Sequence, residues 1–241
     1  MTAFADIAPF YDRLMHKVQY KMWAGYYRLL LAQIGHEPHT LLDVCCGTGT
    51  CAELLAEEGF QVTGFDISGP MVAEARRKSK RAEFVVADAA ELDLGKKFDA
   101  AYSFFDSLNY ITDPERLGAA IKRVAEHLRP GGSFIFDVNT AYAFEQKMFD
   151  QEDVAKGTQL KYSWRGAYDS KTRLITIDMQ FWAGDQQFSE QHLQRAYSDE
   201  ELRDYLSDAG MDVARVYDSY TLDPPRERSD RLHYLAVLHT G

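Results

Sequence analysis

The stretch LDVCCGTGTCA, residues 42–52, brings together residue types that can do chemistry. Asp43 lies inside an apolar run that is typical of a buried strand. Gly47 and Gly49 follow this run, and a helical pattern begins at Thr50. Glycines at that position let a ligand approach the free N–H groups at the start of a helix. All the cysteines of the chain fall in the same stretch, so a cofactor, a metal or a redox partner could bind here.

The cysteines favour packing over metal or disulfide chemistry. Cys45, Cys46 and Cys51 form an odd, clustered set with no partner cysteine elsewhere in the chain. A structural zinc site takes four ligands, and the histidines show no metal-binding spacing. A buried free cysteine behaves as a small apolar residue, so we expect Cys45 and Cys46 to pack, and we predict no metal. The cysteine count also favours the reducing cytoplasm as the location.

Two further acids distinguish between kinds of cofactor. Asp66 ends the strand-like run VTGFD, and Asp88 ends the run FVVAD. The letters GTGTCA satisfy the dinucleotide-binding pattern G-x-G-x-x-A, and Asp66 stands where an NAD enzyme binds its ribose hydroxyls. An NAD(P)-dependent oxidoreductase is therefore one alternative, although Asp43 and Asp88 are unusual for that class. A non-catalytic module that binds a cofactor is a second alternative.

The remaining sequence predicts the elements that position these residues. Five strand-like runs alternate mostly with helical patterns, and they are centred near residues 42, 63, 85, 101 and 135. This order is typical of a parallel sheet that is covered by helices on both faces. Before the first strand, residues 9–34 repeat apolar side chains every three to four residues, which predicts a helix.

The pattern changes after residue 156. Beta-rich runs separated by DSKT and AGDQ predict antiparallel strands that are joined by turns. Ser198 and Glu201 then carry the signature of a capping box, which predicts a helix, and two more strand-like runs close the chain. We therefore predict an α/β, Rossmann-like fold with a seven-stranded, mostly parallel sheet, an antiparallel β insertion and an N-terminal helical segment.

Composition and charge narrow the class of partner. The net charge of −10 would repel a phosphate backbone, and no apolar run approaches the ~18 residues of a membrane helix. The first residues lack the basic start and long apolar core of a secretory signal. We interpret the one basic cluster, Arg76–Arg81, as the solvated last turn of a helix. The expected protein is cytoplasmic and binds neither nucleic acid nor membrane.

Taken in order, these motifs resemble those of class I S-adenosylmethionine-dependent methyltransferases. The segment LDVCCGTGT resembles the first motif of that family, VTGFD its second-strand acid, and FVVAD a third acidic position. LRPGG resembles its turn before strand five, and YSDEELRDYLSDAGM resembles its helix before strand six. The resemblance covers residues 40–139 closely and the remainder more loosely, and it implies S-adenosylmethionine as the cofactor.

The resemblance also implies a set of cofactor contacts. Asp43 would face the ammonium of the methionine part, directly or through water. Asp66 would accept from both ribose hydroxyls, and Asp88 with the Ala89 backbone would contact the adenine edge. The expected set is completed by Cys45, Gly47, Gly49, Ile67, Met71, Phe104, Tyr11, Tyr20 and Trp23.

The end of strand four carries FDSLNYI rather than the Asn/Asp-Pro-Pro-aromatic motif of DNA-amine methyltransferases. It resembles the Ser-x-x-Tyr of small-molecule enzymes, notably amino-sugar N-methyltransferases. Ser107, Asn109 and Tyr110 are therefore pocket candidates, and the alternative is that Ser107 and Asn109 cap the next helix. A DPP at Asp223–Pro225 falls between the last two strands, and we interpret it as a loop.

In the same group of enzymes the N-terminal segment lies over the cofactor as a lid, and an insertion after strand five roofs the substrate site. Tyr11, Tyr20 and Trp23 are candidates to close the site, although a core helix shows the same aromatic spacing. Tyr11 and His192 join the pocket candidates. The expected division is a lid at 1–38, a cofactor-binding domain at 39–155 and 197–241, and a roof at 156–196.

The function expected from these features is methyl transfer from S-adenosylmethionine to a small molecule. Such a reaction mainly requires that the acceptor atom be held about 3 Å from the methyl carbon, in line with the bond that breaks. A neutral amine needs little help from a base, whereas a hydroxyl needs more. No essential catalytic residue is predicted, and N-, O- and C-methylation all stay open.

Overall fold

The apolar and alternating runs of the sequence form strands throughout the computed structural model, which describes residue 4 and residues 6–155 and 160–240. Five strands come first: β1 (Thr40–Val44), β2 (Gln61–Asp66), β3 (Glu83–Val86), β4 (Phe98–Ser103) and β5 (Leu128–Asn139). Four follow: β6 (Gln151–Asp153), β7 (Lys161–Asp169), β8 (Leu174–Ala183) and β9 (Gln186–Arg195). Two close the described chain: β10 (Met211–Asp218) and β11 (Arg231–Leu238).

The helices that follow Asp113 and Ser198 begin at the capping residues that the sequence predicts. Asp113 accepts the N–H of Glu115 at 2.9 Å, and Ser198 with Glu201 forms the predicted capping box. Within the described ranges, no helix is both long and apolar enough to cross a membrane. The α-helices are α1 (Tyr11–Leu14), α2 (Tyr20–Gln33), α3 (Thr50–Glu57), α4 (Gly69–Lys78), α5 (Pro114–Glu126), α6 (Ala141–Glu145) and α7 (Asp199–Asp208).

The central sheet has the order β10-β11-β5-β4-β1-β2-β3. Strands β1 to β5 of this sheet are parallel, and β11 runs antiparallel to both of its neighbours. The predicted seven-stranded, mostly parallel sheet is therefore confirmed. Chain order reverses between β1 and β4, and ligands of open parallel sheets bind beyond the strand ends at such a point.

The predicted helix over residues 9–34 is broken into pieces. Short 3-10 turns at Ala8–Phe10 and Met15–Lys17 flank α1, and Val18 is extended before α2 begins. The parts of the segment before and after this bend both repeat apolar side chains every three to four residues, because each part packs against apolar neighbours. A spacing of three to four residues therefore could not distinguish one long helix from two short ones that meet at a bend.

Strand five also begins earlier than the sequence predicts. The LRPGG segment lies inside β5, where the register with β4 shifts between Phe98 and Ala100. Gly131 has a φ of +76° there, which only glycine adopts readily. The turn chemistry of this segment thus produces a β-bulge within a strand rather than a loop before it.

The predicted β insertion forms an antiparallel sheet in the order β6-β7-β8-β9. Strand β6 was not predicted, because its three polar residues give no alternating pattern; it pairs Gln151 with Trp164. Residues 156–159, the first of the predicted roof, lie outside the described residues. Side chains of β8 alternate into a core with Ile7 and Phe144, so the N-terminal segment and this sheet pack together.

The buried His233 on β11 makes stability depend on pH. Its ring packs against Tyr26, Tyr220 and Trp23, with ring centres at 5.0, 5.4 and 6.1 Å. Burial first, and then the charge of Arg231, lowers the pKa of His233 to about 3. An unfolded histidine has a pKa near 6.5, so the unfolded chain binds a proton that the folded chain does not, and stability falls as the pH falls from 6.5 towards 3.

Replacing His233 with phenylalanine should remove this contribution. Between pH 6.5 and pH 4.5 the free energy of unfolding of the wild type should fall by about 2–3 kcal/mol more than that of His233→Phe, as measured by urea titration. His39→Phe, at an exposed histidine, serves as the control and should follow the wild type. Equal slopes for wild type and His233→Phe would contradict the burial argument.

Candidate active site

A cavity of about 680 Å³ lies beyond the ends of β1, β2 and β4, where the chain order reverses. This volume is in the range of small-molecule sites. Three parts of the chain form the wall: the central sheet, the N-terminal segment and the second sheet. The N-terminal segment contributes Phe4, Ile7, Tyr11, Leu14, Met15 and Tyr20. Residues from the second sheet are Gln151, Trp164, Met179, Phe181, His192 and Gln194.

The two glycines after β1 have different roles. Gly47 lines the cavity with a φ of +54°, so its backbone is open to a ligand. Gly49, with a φ of +71°, does not line the cavity, and a Cβ there would come within 2.4 Å of the Phe84 ring. Gly47 therefore permits the approach of a ligand, whereas Gly49 permits the close packing of α3 on the sheet. Cys45 also lines the cavity and has a φ of +60°.

Asp66 holds the glycine loop in place. Its Oδ2 accepts the N–H of Gly47 at 2.9 Å, and its Oδ1 accepts the N–H of Ser68 at 2.8 Å. Burial raises the pKa of Asp66, and these backbone donors oppose that rise only in part. Each carboxylate oxygen has two lone pairs, so both oxygens can still accept from a ligand hydroxyl.

Asp43 is a buried carboxyl group with an unsatisfied oxygen. Only 4% of the residue is exposed, and among the described residues no donor reaches its Oδ2. Burial raises the pKa of Asp43 to about 8, the Tyr102 hydroxyl opposes this shift, and the charge of Asp66 adds to it. A cation bound in the cavity would supply the missing partner and favour the ionised form.

Asp88 is paired with an arginine that the sequence patterns did not identify. Its Oδ1 accepts the N–H of Ala90 at 2.9 Å, and its Oδ2 forms an ion pair with Arg116 at 2.5 Å. Asp88 and Arg116 line the cavity, while the neighbouring Ala89 is buried and does not. The chain gave no local signal for Arg116, because it lies on an ordinary amphipathic helix.

The predicted apolar and aromatic contacts divide into two groups. Ile67, Met71, Phe104, Tyr11 and Tyr20 line the cavity. Trp23, in contrast, lies in the core.

The Trp23 ring packs on Phe105, Tyr220 and Phe104, with ring centres 4.2, 4.6 and 5.4 Å away. The side chain is only 3% exposed. Of the three candidates to close the site, the structure therefore brings Tyr11 and Tyr20 to the cavity and leaves Trp23 beneath it.

The residues after β4 are also separated by the fold. Ser107 and Tyr110 line the cavity, but Asn109 is buried behind it. The Asn109 amide donates to the carbonyls of Asn139 and Arg195 at 3.1 and 2.8 Å, and its oxygen accepts the Asn139 N–H at 2.9 Å. Asn109 thus joins β4 to β5 and β9. The alternative that Ser107 and Asn109 cap the next helix is wrong, since Asp113 caps α5.

An ion-pair network after β4 was not predicted. Phe105 and Asp106 both have positive φ, +63° and +51°, which is rare for residues with side chains. Arg231 donates to Asp106 at 2.8 Å and also pairs with the buried Asp137. Gln194 donates to the other oxygen of Asp106 at 2.8 Å. No sequence signal marked this network, because its members are far apart in the chain.

A second set of hydrogen-bonded polar side chains connects the second sheet to the N-terminal segment. The Tyr110 hydroxyl lies 3.2 Å from His192 Nδ1, and His192 Nε2 lies 2.7 Å from Glu190. Glu190 also accepts the backbone N–H groups of Phe4, Asp6 and Ile7 at 3.1, 2.8 and 2.9 Å. Glu190 was not among the predicted site residues.

The cysteines are free thiols in the wall of the cavity. Cys45, Cys46 and Cys51 all line it, and burial raises the pKa of each thiol. Across the part of the chain that the structure describes, no three metal-binding side chains come together.

Comparison with known proteins identifies the family. A family model described as a methyltransferase domain matches residues 41–132. Over 243 residues the chain is 30% identical to a protein of Geobacillus sp. (strain WCH70) that is named as a methyltransferase, and 97% of this chain and 98% of that protein are covered. The chain belongs to the methyltransferase family.

Two further relatives define the type of methyltransferase. The solved structure of an S-adenosylmethionine-dependent methyltransferase from Clostridium acetobutylicum ATCC 824 has a TM-score of 0.85 and 27% identity, covering 99% of this chain and 100% of that one. The dTDP-3-amino-3,4,6-trideoxy-alpha-D-glucopyranose N,N-dimethyltransferase of Streptomyces venezuelae is 40% identical over 101 residues, 42% of this chain and 43% of that relative. The protein is therefore a class I S-adenosylmethionine-dependent methyltransferase that resembles amino-sugar N-methyltransferases. The oxidoreductase alternative was wrong.

The buried Asp43 should make the methyltransferase less stable without ligand. Its pKa of about 8 exceeds the usual value near 4, so the folded state holds a proton that the unfolded state releases, and stability falls as the pH rises from 4 towards 8. Asp43→Asn should therefore raise the free energy of unfolding at pH 7 by about 1–3 kcal/mol, as measured by urea titration without cofactor.

The same substitution should weaken the binding of S-adenosylhomocysteine, as measured by calorimetry. Asp137→Asn is the matched control, since Asp137 is also buried, in β5 of the same sheet, but is paired with Arg231. Removing that charge should destabilise the fold because Arg231 loses a partner. A stability loss in both variants would contradict the assignment of Asp43 as an unpaired carboxyl.

Asp66→Ala should weaken the binding of S-adenosylhomocysteine by about 1.5–3 kcal/mol, because a carboxylate acceptor is lost. It should also lower stability, since Gly47 and Ser68 lose their acceptor. Asp99→Ala is the matched control: Asp99 accepts the N–H groups of His39 and Thr40 at the opposite edge of the sheet. The control should lose stability and keep its affinity; equal affinities for all three proteins would contradict a role of Asp66 in binding.

Proposed function

We propose that this methyltransferase transfers the methyl group of S-adenosylmethionine to an amine or hydroxyl of a small molecule that carries no negative charge. The observation behind this proposal is the charge of the cavity wall. Its described acids are Asp43, Asp66, Asp88, Asp106, Asp113 and Asp230. Its described lysine and arginine residues are Arg116 and Arg231, and each is already paired with a carboxylate.

We assign the cofactor to the side of the cavity that the ends of β1 and β2 form. Asp66 would accept from the ribose hydroxyls, and Asp43 would face the ammonium with its Oδ2, which has no partner among the described residues. Ile67 is 58% exposed, which is unusual for its type, and with Met71 it would cover the adenine. The bound cofactor supplies a methyl group on a sulfonium cation, which an acidic, aromatic-lined cavity stabilises.

The acceptor then occupies the side between β4 and the second sheet. Ser107, Tyr110 and His192 offer hydrogen bonds there, while Trp164 and Phe181 offer apolar surface. The protein contributes mainly by holding the acceptor atom in line with the methyl group and by excluding water. The N-terminal segment and the second sheet, which share one core, serve as the lid and the roof in this assignment.

The charge of the wall separates this protein from relatives that are named for nucleotide-linked sugars. A diphosphate is bound most strongly by cations that are free to pair with it. Arg116 is paired with Asp88, and Arg231 is paired with Asp106 and Asp137. A neutral or cationic acceptor with an apolar part fits this wall better than a nucleotide diphosphate.

A panel of methyl acceptors tests the proposal. Purified protein and S-adenosylmethionine labelled in the methyl group are incubated with small amines, phenols, free amino sugars and one dTDP-linked amino sugar, and products are identified by mass spectrometry. Neutral or cationic acceptors should be methylated. The dTDP-linked sugar should react with a kcat/KM about 100-fold below that of its matched free sugar, because its negative charges meet an acidic wall whose described arginines are already paired. Asp66→Ala, which should lose cofactor affinity, serves as the control.

If the dTDP-linked sugar is methylated and no neutral or cationic acceptor is, the argument from the charge of the cavity wall is wrong. If no acceptor of the panel is methylated while S-adenosylhomocysteine binds normally, the assignment to amines and hydroxyls fails as well.

A further inference from the structure

Three polar side chains form a continuous chain at the acceptor end of the cavity. The Tyr110 hydroxyl contacts His192 Nδ1 at 3.2 Å, and His192 Nε2 contacts Glu190 Oε2 at 2.7 Å. The His192 side chain is 1% exposed and that of Glu190 is 8% exposed. Tyr110 and His192 nevertheless line the cavity, so the chain begins at the site and ends at a buried carboxylate.

The same carboxylate fastens the N-terminal segment. Glu190 Oε1 accepts from Asp6 and Ile7, and Oε2 accepts from Phe4 as well as contacting His192. The Phe4 ring packs on His192 and on Tyr110, with ring centres 4.4 and 5.2 Å away. One acidic group therefore holds both the imidazole and the first described turn of the segment that covers the cavity.

The protonation pattern of this chain follows from its acceptors. Burial raises the pKa of Glu190, whereas the contact with His192 and the backbone donors lower it by more. The pKa of Glu190 therefore lies below its usual value. An ionised carboxylate can only accept, so the neutral imidazole carries its proton on Nε2. The Nδ1 lone pair then faces the Tyr110 hydroxyl. The other titratable groups near Tyr110 are Asp106 and Tyr11.

We propose that Tyr110, His192 and Glu190 form a proton relay for methyl transfer, and that docking of the N-terminal segment on Glu190 completes it. This inference rests on the proposed transfer to an amine or hydroxyl.

A lone pair of the acceptor atom forms the bond to the methyl carbon, and the pair of the broken carbon–sulfur bond stays on sulfur. The proton of the acceptor passes to the Tyr110 oxygen while Tyr110 gives its own proton to His192 Nδ1. Glu190 stabilises the imidazolium that results. His192 then loses its Nδ1 proton to solvent, which restores the starting protonation of the relay.

The first test needs no methyl acceptor. The 15N shifts of the His192 imidazole, assigned by comparison with His192→Gln, should show the tautomer protonated on Nε2. Protonation on Nδ1 would overturn the relay, because Nδ1 could then not take a proton from Tyr110. Hydrogen exchange over residues 6–17 should become at least tenfold faster in Glu190→Gln than in Glu152→Gln. The control changes an exposed glutamate that pairs with Arg165 on the same sheet.

The second test uses an acceptor found in the panel above. Tyr110→Phe and His192→Gln should lower kcat by about 100-fold and leave the affinity for S-adenosylhomocysteine within about threefold of the wild type. Tyr168→Phe changes a tyrosine of β7, in the sheet that carries His192 but outside the cavity wall, and should keep the wild-type kcat. In the wild type kcat should fall as the pH falls, because the relay must be free to accept a proton.

The pH at half-maximal kcat should move to lower pH in Glu190→Gln, since the imidazolium loses its carboxylate. A merely structural role of Glu190 would lower kcat and leave this pH unchanged. Wild-type kcat in Tyr110→Phe would overturn the relay. If the wild type methylates no acceptor, the proposed function fails, whereas the relay is still decided by the tautomer and by the exchange rates.

Discussion

Parallel strands that start at one edge of a sheet all end at the other, and the loops that follow them leave backbone N–H groups in need of acceptors. In this methyltransferase carboxylates meet that need. Asp66 accepts from Gly47 and Ser68, Asp88 accepts from Ala90, and Asp137 accepts from Asp106. The loops around the cavity are thus shaped by acids before a ligand binds. Asp43 differs from these three acids, because among the described residues no loop N–H group donates to it, and its Oδ2 has no donor.

The other half of the cavity wall depends on a separate apolar core. Ile7 packs with Ile175, Ile177 and Phe181 of β8 and with Phe144 of α6. This core is distinct from the two that flank the central sheet. The N-terminal segment and the second sheet can therefore loosen together while the strands beneath the glycine loop keep their packing. Glu190 adds a polar link between the same two parts.

Features with a local signal could be predicted from the sequence. Strand–glycine–helix order marked β1 and α3, and the acids Asp43, Asp66 and Asp88 stood at fixed places in or just after β1, β2 and β3. Features that depend on distant partners could not be predicted. Arg231 meets Asp106 across 125 positions of the chain, and Glu190 meets Ile7 across 183. Trp23 and Asn109 show the other limit. The spacing of aromatic residues, or an amide that follows a strand, does not indicate whether a side chain points into the cavity or into the core. Both of these side chains are buried behind the cavity wall.

The cysteines in the wall have a consequence for the chemistry next to them. S-adenosylmethionine is an alkylating agent, and sulfur is the best nucleophile among protein side chains once it loses its proton. Burial keeps the pKa of Cys45, Cys46 and Cys51 well above the usual value, so each stays a neutral thiol. The packing that buries these small residues around the glycine loop therefore also keeps them in their less nucleophilic form beside a methyl donor.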